Sequence, residues 1–127
     1  MAKIDGVCRE VMDKTEWVAI ATTGPDGPHV VATWGDYVRT LGVGGETLVI
    51  PVGGMGKTEA NLRRDDRVEL LCGTRAVQGA HGPGKGCCIV GKAALHTEGP
   101  QFDAVKAKFS WARGALVVRM EEVKPQL

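Results

Sequence analysis

Apolar residues recur at helical spacing over residues 4–14. Ile4, Val7, Val11 and Met12 share one face there, with Arg9, Glu10 and Asp13 turned away from it. The period then shortens. Trp17 to Thr23 is rich in β-branched and small residues and predicts a strand. Gly24-Pro25-Asp26-Gly27-Pro28 is a strong turn signal, so the next run, about His29 to Tyr37, is expected to pair back as a hairpin. Leu41 to Gly45 turns again, and Thr47 to Pro51 is the third strand. A short helix is expected after Lys57, through Glu59 to Arg64. Asp65-Asp66 then precedes a fourth strand, Val68 to Cys72. A glycine-rich loop (Gly79, Gly82, Gly84, Gly86) leads to a fifth strand, Cys87 to His96, in which Gly91 marks a bulge or a close-packing point. Gly99-Pro100 opens a helix, because proline suits a first helical position, and Phe102, Val105 and Phe109 supply its apolar stripe. Leu116 to Val123 is the last strand, before a short tail, Lys124-Pro125-Gln126-Leu127.

This pattern amounts to six strands joined mainly by turns, with three peripheral helices. Hairpin connections argue for an antiparallel sheet, and a chain of 127 residues forms one domain. Curling into a small barrel removes open edges. Side chains fill the interior of so small a barrel, so a sizeable ligand is expected outside it, at a subunit interface.

Composition narrows the partners. The formal net charge is +1, which points to neither nucleic acid nor an anionic membrane. Apolar runs are far shorter than a membrane span, and Met1-Ala2-Lys3-Ile4-Asp5 does not begin a secretory signal, so a cytoplasmic protein is expected. Cys8, Cys72, Cys87 and Cys88 form no C-x-x-C pair, and Cys87 and Cys88 point to opposite faces of one strand. Reduced, mostly buried thiols are the expectation. His29, His81 and His96 share no metal-ligand spacing, and no Ser-His-Asp set or paired carboxylate can be assigned, so neither a metal site nor a catalytic set is expected.

The most informative stretch is Pro51-Val52-Gly53-Gly54-Met55-Gly56-Lys57-Thr58-Glu59-Ala60-Asn61. Strand, glycine turn, Lys-Thr and helix start together suit a phosphate group. Glycines let the backbone approach an anion, and a helix N-terminus offers free N–H groups and a positive dipole end. Lys57 adds a point charge and Thr58 a hydroxyl donor. A nucleotide triphosphatase loop does not fit: the fifth residue before Gly56 is Pro51, and the Gly79–Lys85 spacing ends on Gly86, not Ser or Thr. Trp34 and Trp111 are most readily core residues; the functional reading is a flat surface for a planar ring. Arg63, Arg64 and Arg67 make a basic patch that Asp65 and Asp66 neutralise locally.

A family resemblance rests on several blocks in order. They are Val18-Ala19-Ile20-Ala21-Thr22, Asp26-Gly27-Pro28-His29, Thr33-Trp34, Pro51 to Met55, Lys57 to Asn61, Gly82-Pro83-Gly84, Gly99-Pro100 and Trp111-Ala112-Arg113. Over nearly its whole length the chain resembles the small FMN-binding proteins of sulfate-reducing anaerobes, among the split-barrel flavoproteins related to pyridoxamine phosphate oxidase. The resemblance implies a six-stranded antiparallel Greek-key barrel, a homodimer, and one non-covalent FMN per subunit near the dimer interface. By matching position it places Lys57 and Thr58 on the FMN phosphate. Thr33, Trp34 and the backbone of Pro51, Val52, Gly53 and Gly54 line the flavin, and Trp111 and the terminal Leu127 of the other subunit cover its ring. Three departures stand out: Gly56 replaces a histidine, and Ala32 and the Gly35-Asp36 pair replace small, uncharged polar residues. An Asp36 carboxylate near a phosphate is repulsive unless turned away or paired.

The leading functional expectation is a small flavoprotein that passes electrons between redox partners, or a simple flavin oxidoreductase. The resemblance leaves two alternatives: an enzyme of the pyridoxamine phosphate oxidase or flavin reductase type, and a flavin-storing module without redox turnover.

Overall fold

The computed structural model describes residues 2–127. In chain order the elements are α1 (Gly6–Lys14), β1 (Trp17–Gly24), β2 (Gly27–Trp34), α2 (Gly35–Leu41), β3 (Thr47–Val52), α3 (Gly56–Arg64), β4 (Arg67–Gln78), β5 (Pro83–His96), α4 (Pro100–Lys108) and β6 (Gly114–Gln126). The strands form one sheet in the order β2-β1-β4-β5-β6-β3, and every pairing is antiparallel. β4, β5 and β6 follow one another as neighbours while β3 returns to lie beside β6, the connectivity of a Greek key.

Alternation decides which face curls inward. On β1, Val18 and Ile20 are buried; their counterparts on β3, β4 and β5 are Leu48 and Ile50, Leu70, and Ile89. Each such side chain contributes about 1.5–3 kcal/mol on leaving water. α1 lays Val11 and Met12, both fully buried, against β4, β5 and β6, as its apolar face anticipates. Gly91 takes both roles expected of it. The β5–β6 register shifts between Val90 and Gly91, and a Cβ at Gly91 would stand 2.2 Å from the Arg119 carbonyl oxygen.

The structure corrects the sequence reading in three places, and among the described residues it has four helices where three were expected. β2 ends at Trp34 and α2 begins at once, where the alternation had suggested a strand to Tyr37. The cause is tertiary. The Gly35 N–H donates to Glu16 O at 2.9 Å, and the Arg39 guanidinium donates to the Met12 and Thr15 carbonyls at 3.0 and 2.7 Å, tying α2 to the end of α1. A Cβ at Gly35 would lie 2.1 Å from Thr15 O, so only glycine lets the helix start there. Second, the expected glycine-rich loop is mostly strand. β4 runs on to Gln78 and β5 starts at Pro83, leaving a tight turn closed by Gly79 N–H to Gly82 O at 2.8 Å. The tail is likewise strand through Gln126.

The four cysteines are free: Cys8, Cys72 and Cys87 are buried and Cys88 is half-buried. Cys72 faces Cys87 across β4 and β5. Burial, and then a hydrogen bond with Cys87, push the Cys8 thiol up to about 12 from its ordinary value of 9.0.

Candidate functional site

The two edge strands lead into the same neighbourhood. β2 ends at Thr33 and Trp34 and passes into α2; β3 ends at Pro51 and Val52 and passes through Gly53, Gly54 and Met55 into α3. α2 packs against both β2 and β3. Aromatic contacts join the two ends. Tyr37 of α2 stands 5.1 Å from Phe109 and 5.6 Å from Trp111, centroid to centroid, and Phe109 and Trp111 are 5.6 Å apart. Trp111 in turn lies close enough to the glycine turn that a Cβ at Gly53 would meet its six-membered ring at 3.3 Å.

Both Trp34 and Trp111 contradict the core expectation: they are 48% and 50% exposed. Trp34 faces Trp17 across the β1–β2 hairpin, on the outer side of the sheet. Half-exposed indoles at the ends of the edge strands are available for stacking on a planar ring.

The start of α3 has the features of an anion site. Met55 precedes it in the left-handed conformation (φ 63°), and no side chain caps the helix, so its first-turn N–H groups are open. Gly54 and Gly56 carry no side chain, and a Cβ at either would meet nothing within 4 Å. Lys57 is exposed; Thr58 is buried, and its Oγ1 is a buried side-chain polar atom without a hydrogen-bond partner. Thr58 also borders a cavity of about 10 Å³ with Val52, Leu62 and Leu95, which holds no room for an anion. The hydroxyl thus lacks a partner that the protein itself does not supply.

Lys57, Ala60, Asn61 and Arg64 recur at helical spacing on one side of α3, where they wall an open groove of about 520 Å³ against the Gly24–His29 turn. Arg64, which the sequence reading assigned to a neutralised patch, and His29, to which it gave no metal-ligand role, therefore share a groove with Lys57. Arg64 is held there by donating to Thr23 O at 2.6 Å, and Asn61 donates to the buried Thr22 hydroxyl at 3.1 Å. No local sequence signal links His29 to Arg64; the β1–β2 turn brings them together. The one carboxylate lining this groove is Asp26. Asp36 lies elsewhere, in the first turn of α2, where a negative charge suits the helix dipole, beside a hollow with Glu16, Trp34, Tyr37 and Arg39.

Leu127 does not join this group within one chain. β6 pairs with Val52 at its first residue, Gly114, and with Gly86 near its last, Gln126, so Leu127 lies roughly 40 Å of strand away from the glycine turn. Its carbonyl accepts from Ala80 N–H at 2.8 Å, and its side chain is 72% exposed. Among the described residues no group of three or more His, Cys, Asp or Glu could hold a metal ion, and no helix is long and apolar enough to cross a membrane.

Residues 4–126 match the model of the pyridoxamine 5'-phosphate oxidase family. The chain belongs to that family. Within it, the chain is 48% identical over 124 residues to the FMN-binding protein of Nitratidesulfovibrio vulgaris (strain DSM 19637 / Miyazaki F), covering 98% of this chain and 99% of that one. Solved structures of similar shape include a single-substitution form of HupZ from Group A Streptococcus, at TM-score 0.77 and 16% identity over 97% of this chain and 99% of that one. Another is an FMN-binding protein from Syntrophomonas wolfei subsp. wolfei, at TM-score 0.66 and 16% identity over 94% and 83%. At such identities the likeness of this family member to those structures is one of fold: a six-stranded split barrel.

Proposed function

We propose that the chain binds one FMN non-covalently and serves as an electron-transfer flavoprotein. The observation that carries the reading is the uncapped start of α3. Lys57 and the unpartnered Thr58 hydroxyl stand beside a glycine turn that lies under Trp111, in a chain 48% identical to an FMN-binding protein. The residues suit the cofactor: a phosphate on the outer side of the α3 start would be offset by the Lys57 ammonium and the open N–H groups, and a small shift of the first turn would bring the buried Thr58 hydroxyl its missing partner. Arg64 adds a second positive charge to the same groove, which His29 and Asp26 also line.

When bound, FMN supplies one- or two-electron redox chemistry. The protein binds, orients and shields. Thr33, Trp34 and the backbone of Pro51, Val52, Gly53 and Gly54 line the ring. Trp111 and Leu127 of a second subunit would cover the ring, since a chain's own Leu127 lies at the far end of β6. A homodimer also accounts for the outer sheet face, where exposed Val30 and Leu71 stand among Ala19, Ala21 and Cys88. Soluble, cytoplasmic electron transport is the setting this reading assigns.

The visible spectrum of the purified protein, before and after anaerobic reduction, tests it. Expected are oxidised flavin bands that bleach on reduction and survive dialysis, followed by re-oxidation when a one-electron acceptor is added. A protein that stays colourless after incubation with excess FMN refutes the cofactor assignment. Bound FMN that exchanges no electrons with any carrier refutes electron transfer in favour of storage.

A further inference from the structure

Arg113, the residue just before β6, holds both sides of the glycine turn. Its backbone N–H donates to Val52 O at 2.8 Å, at the last residue of β3. Its Nε and Nη2 both donate to Gly54 O, at 3.0 and 2.6 Å. The same Nη2 lies 3.1 Å from Glu59 Oε1 in the first turn of α3, and the other Glu59 oxygen accepts from Arg63 at 3.0 Å. One guanidinium thus fastens the strand end, the turn carbonyl and the helix start.

The peptide linking Gly54 to Met55 is planar and trans, so its C=O and N–H point in opposite directions. Fixing the carbonyl on Arg113 fixes the direction of the Met55 N–H. Glycine at positions 53 and 54 leaves this peptide few restraints of its own. Met55, held at φ 63°, is a non-glycine residue in the left-handed region, a conformation that costs energy and persists only where its surroundings impose it. Trp111, two residues earlier than Arg113, packs on Gly53, so the segment 111–113 restrains the turn from the ring side and the carbonyl side together.

We infer that Arg113 is a positioning residue: its two-pronged grip on the Gly54 carbonyl holds the Gly53–Met55 turn in the one shape that receives the flavin. The inference rests on the proposed FMN site for its binding arm. Its exchange arm needs no cofactor, so the two readings fail separately.

The experiment compares wild type with Arg113→Met, Arg113→Lys and Glu59→Gln. Amide exchange is followed by NMR in FMN-free protein, and FMN affinity by quenching of flavin fluorescence. In Arg113→Met, exchange at the position-113 and Glu59 amides, which donate to Val52 O and Met55 O on either side of the turn, is expected to rise at least tenfold, with β4 and β5 amides unchanged, and FMN affinity to fall at least tenfold. Arg113→Lys keeps the charge and loses the planar fork, and is expected to fall between the two in both readouts. Glu59→Gln keeps the grip on Gly54 and is expected to match wild type in exchange at the turn. The inference is overturned if Arg113→Lys equals wild type in both readouts, because charge alone then suffices. It is also overturned if exchange in Arg113→Met rises evenly across β3, β6 and the turn, which marks general loosening. Faster exchange with unchanged FMN affinity overturns the link to the flavin. A wild type that binds no FMN, with exchange as expected, leaves the grip standing and removes the FMN site.

Discussion

Thr58→Val sets stability against binding. Valine keeps the shape and removes a buried hydroxyl that has no protein partner. The FMN-free protein is expected to gain about 1 kcal/mol, since an unsatisfied buried polar group costs about 1–3 kcal/mol, while FMN binding weakens severalfold. A variant that is no more stable, or that binds FMN as before, contradicts this role. Lys57→Ala removes an exposed charge, so its thermal midpoint is expected to stay within about 2 °C of wild type. Its affinity for FMN should drop roughly 10- to 100-fold, the range of a lost charge-assisted hydrogen bond. Equal affinity in a titration takes Lys57 out of the site. Both residues were legible in the sequence as candidates because strand, glycine turn, Lys-Thr and helix are contiguous. His29 and Arg64 were not, because their proximity to Lys57 is made by a hairpin turn that comes far earlier in the chain than α3. The exposure of the two indoles was equally hidden, since a lone tryptophan in an alternating run gives no sign of which face it takes.

At the scale of elements, α2 and α3 begin with glycines that have opposite surroundings. At Gly35 a Cβ would strike the Thr15 carbonyl, and at Gly56 it would meet open space. Gly35→Ala is expected to cost about 2 kcal/mol or more, through backbone displacement where α2 meets α1. Gly56→Ala should be neutral or stabilise by up to about 1 kcal/mol. Denaturant midpoints compared at equal slope decide it; equal losses in both variants contradict the account. Sequence patterns located the strands and the strongly periodic α1, where the period is set by burial of one face. They failed at α2, seven residues long with no side-chain cap, because its start depends on Thr15 and Glu16 and its hold on Arg39 reaching α1. They failed again at the β4–β5 turn region, where glycines at 79, 82, 84 and 86 suggested a loop but cross-strand pairing absorbs Gly84 and Gly86. The contact between α1 and the strand thiols carries a pH signature. Cys8 keeps its proton more tightly folded than unfolded. Its contribution is therefore present below its ordinary value of 9.0 and is lost as pH rises toward about 12. Melting curves should show stability falling less steeply over that window in Cys8→Ala than in wild type; parallel slopes refute the linkage.

For the whole molecule, the sheet order puts β2 and β3 at its edges, and α2, α3 and the Trp111–Arg113 segment gather at the ends of those strands. The barrel interior is filled by side chains, so the groove at Lys57 and the aromatic cluster at Trp111 lie outside it, as the small strand number requires. The fold and the phosphate end of the site follow from local pattern. The proposed contribution of Leu127 from a second subunit does not, because what separates Leu127 from the glycine turn is the full length of β6. The central claim is that the start of α3 grips the phosphate of FMN. Parallel titrations of the protein with FMN and with riboflavin, which lacks that phosphate, test it most directly. One FMN per chain, bound at least tenfold more tightly than riboflavin, is the predicted result; equal affinities, or no FMN binding, contradict it.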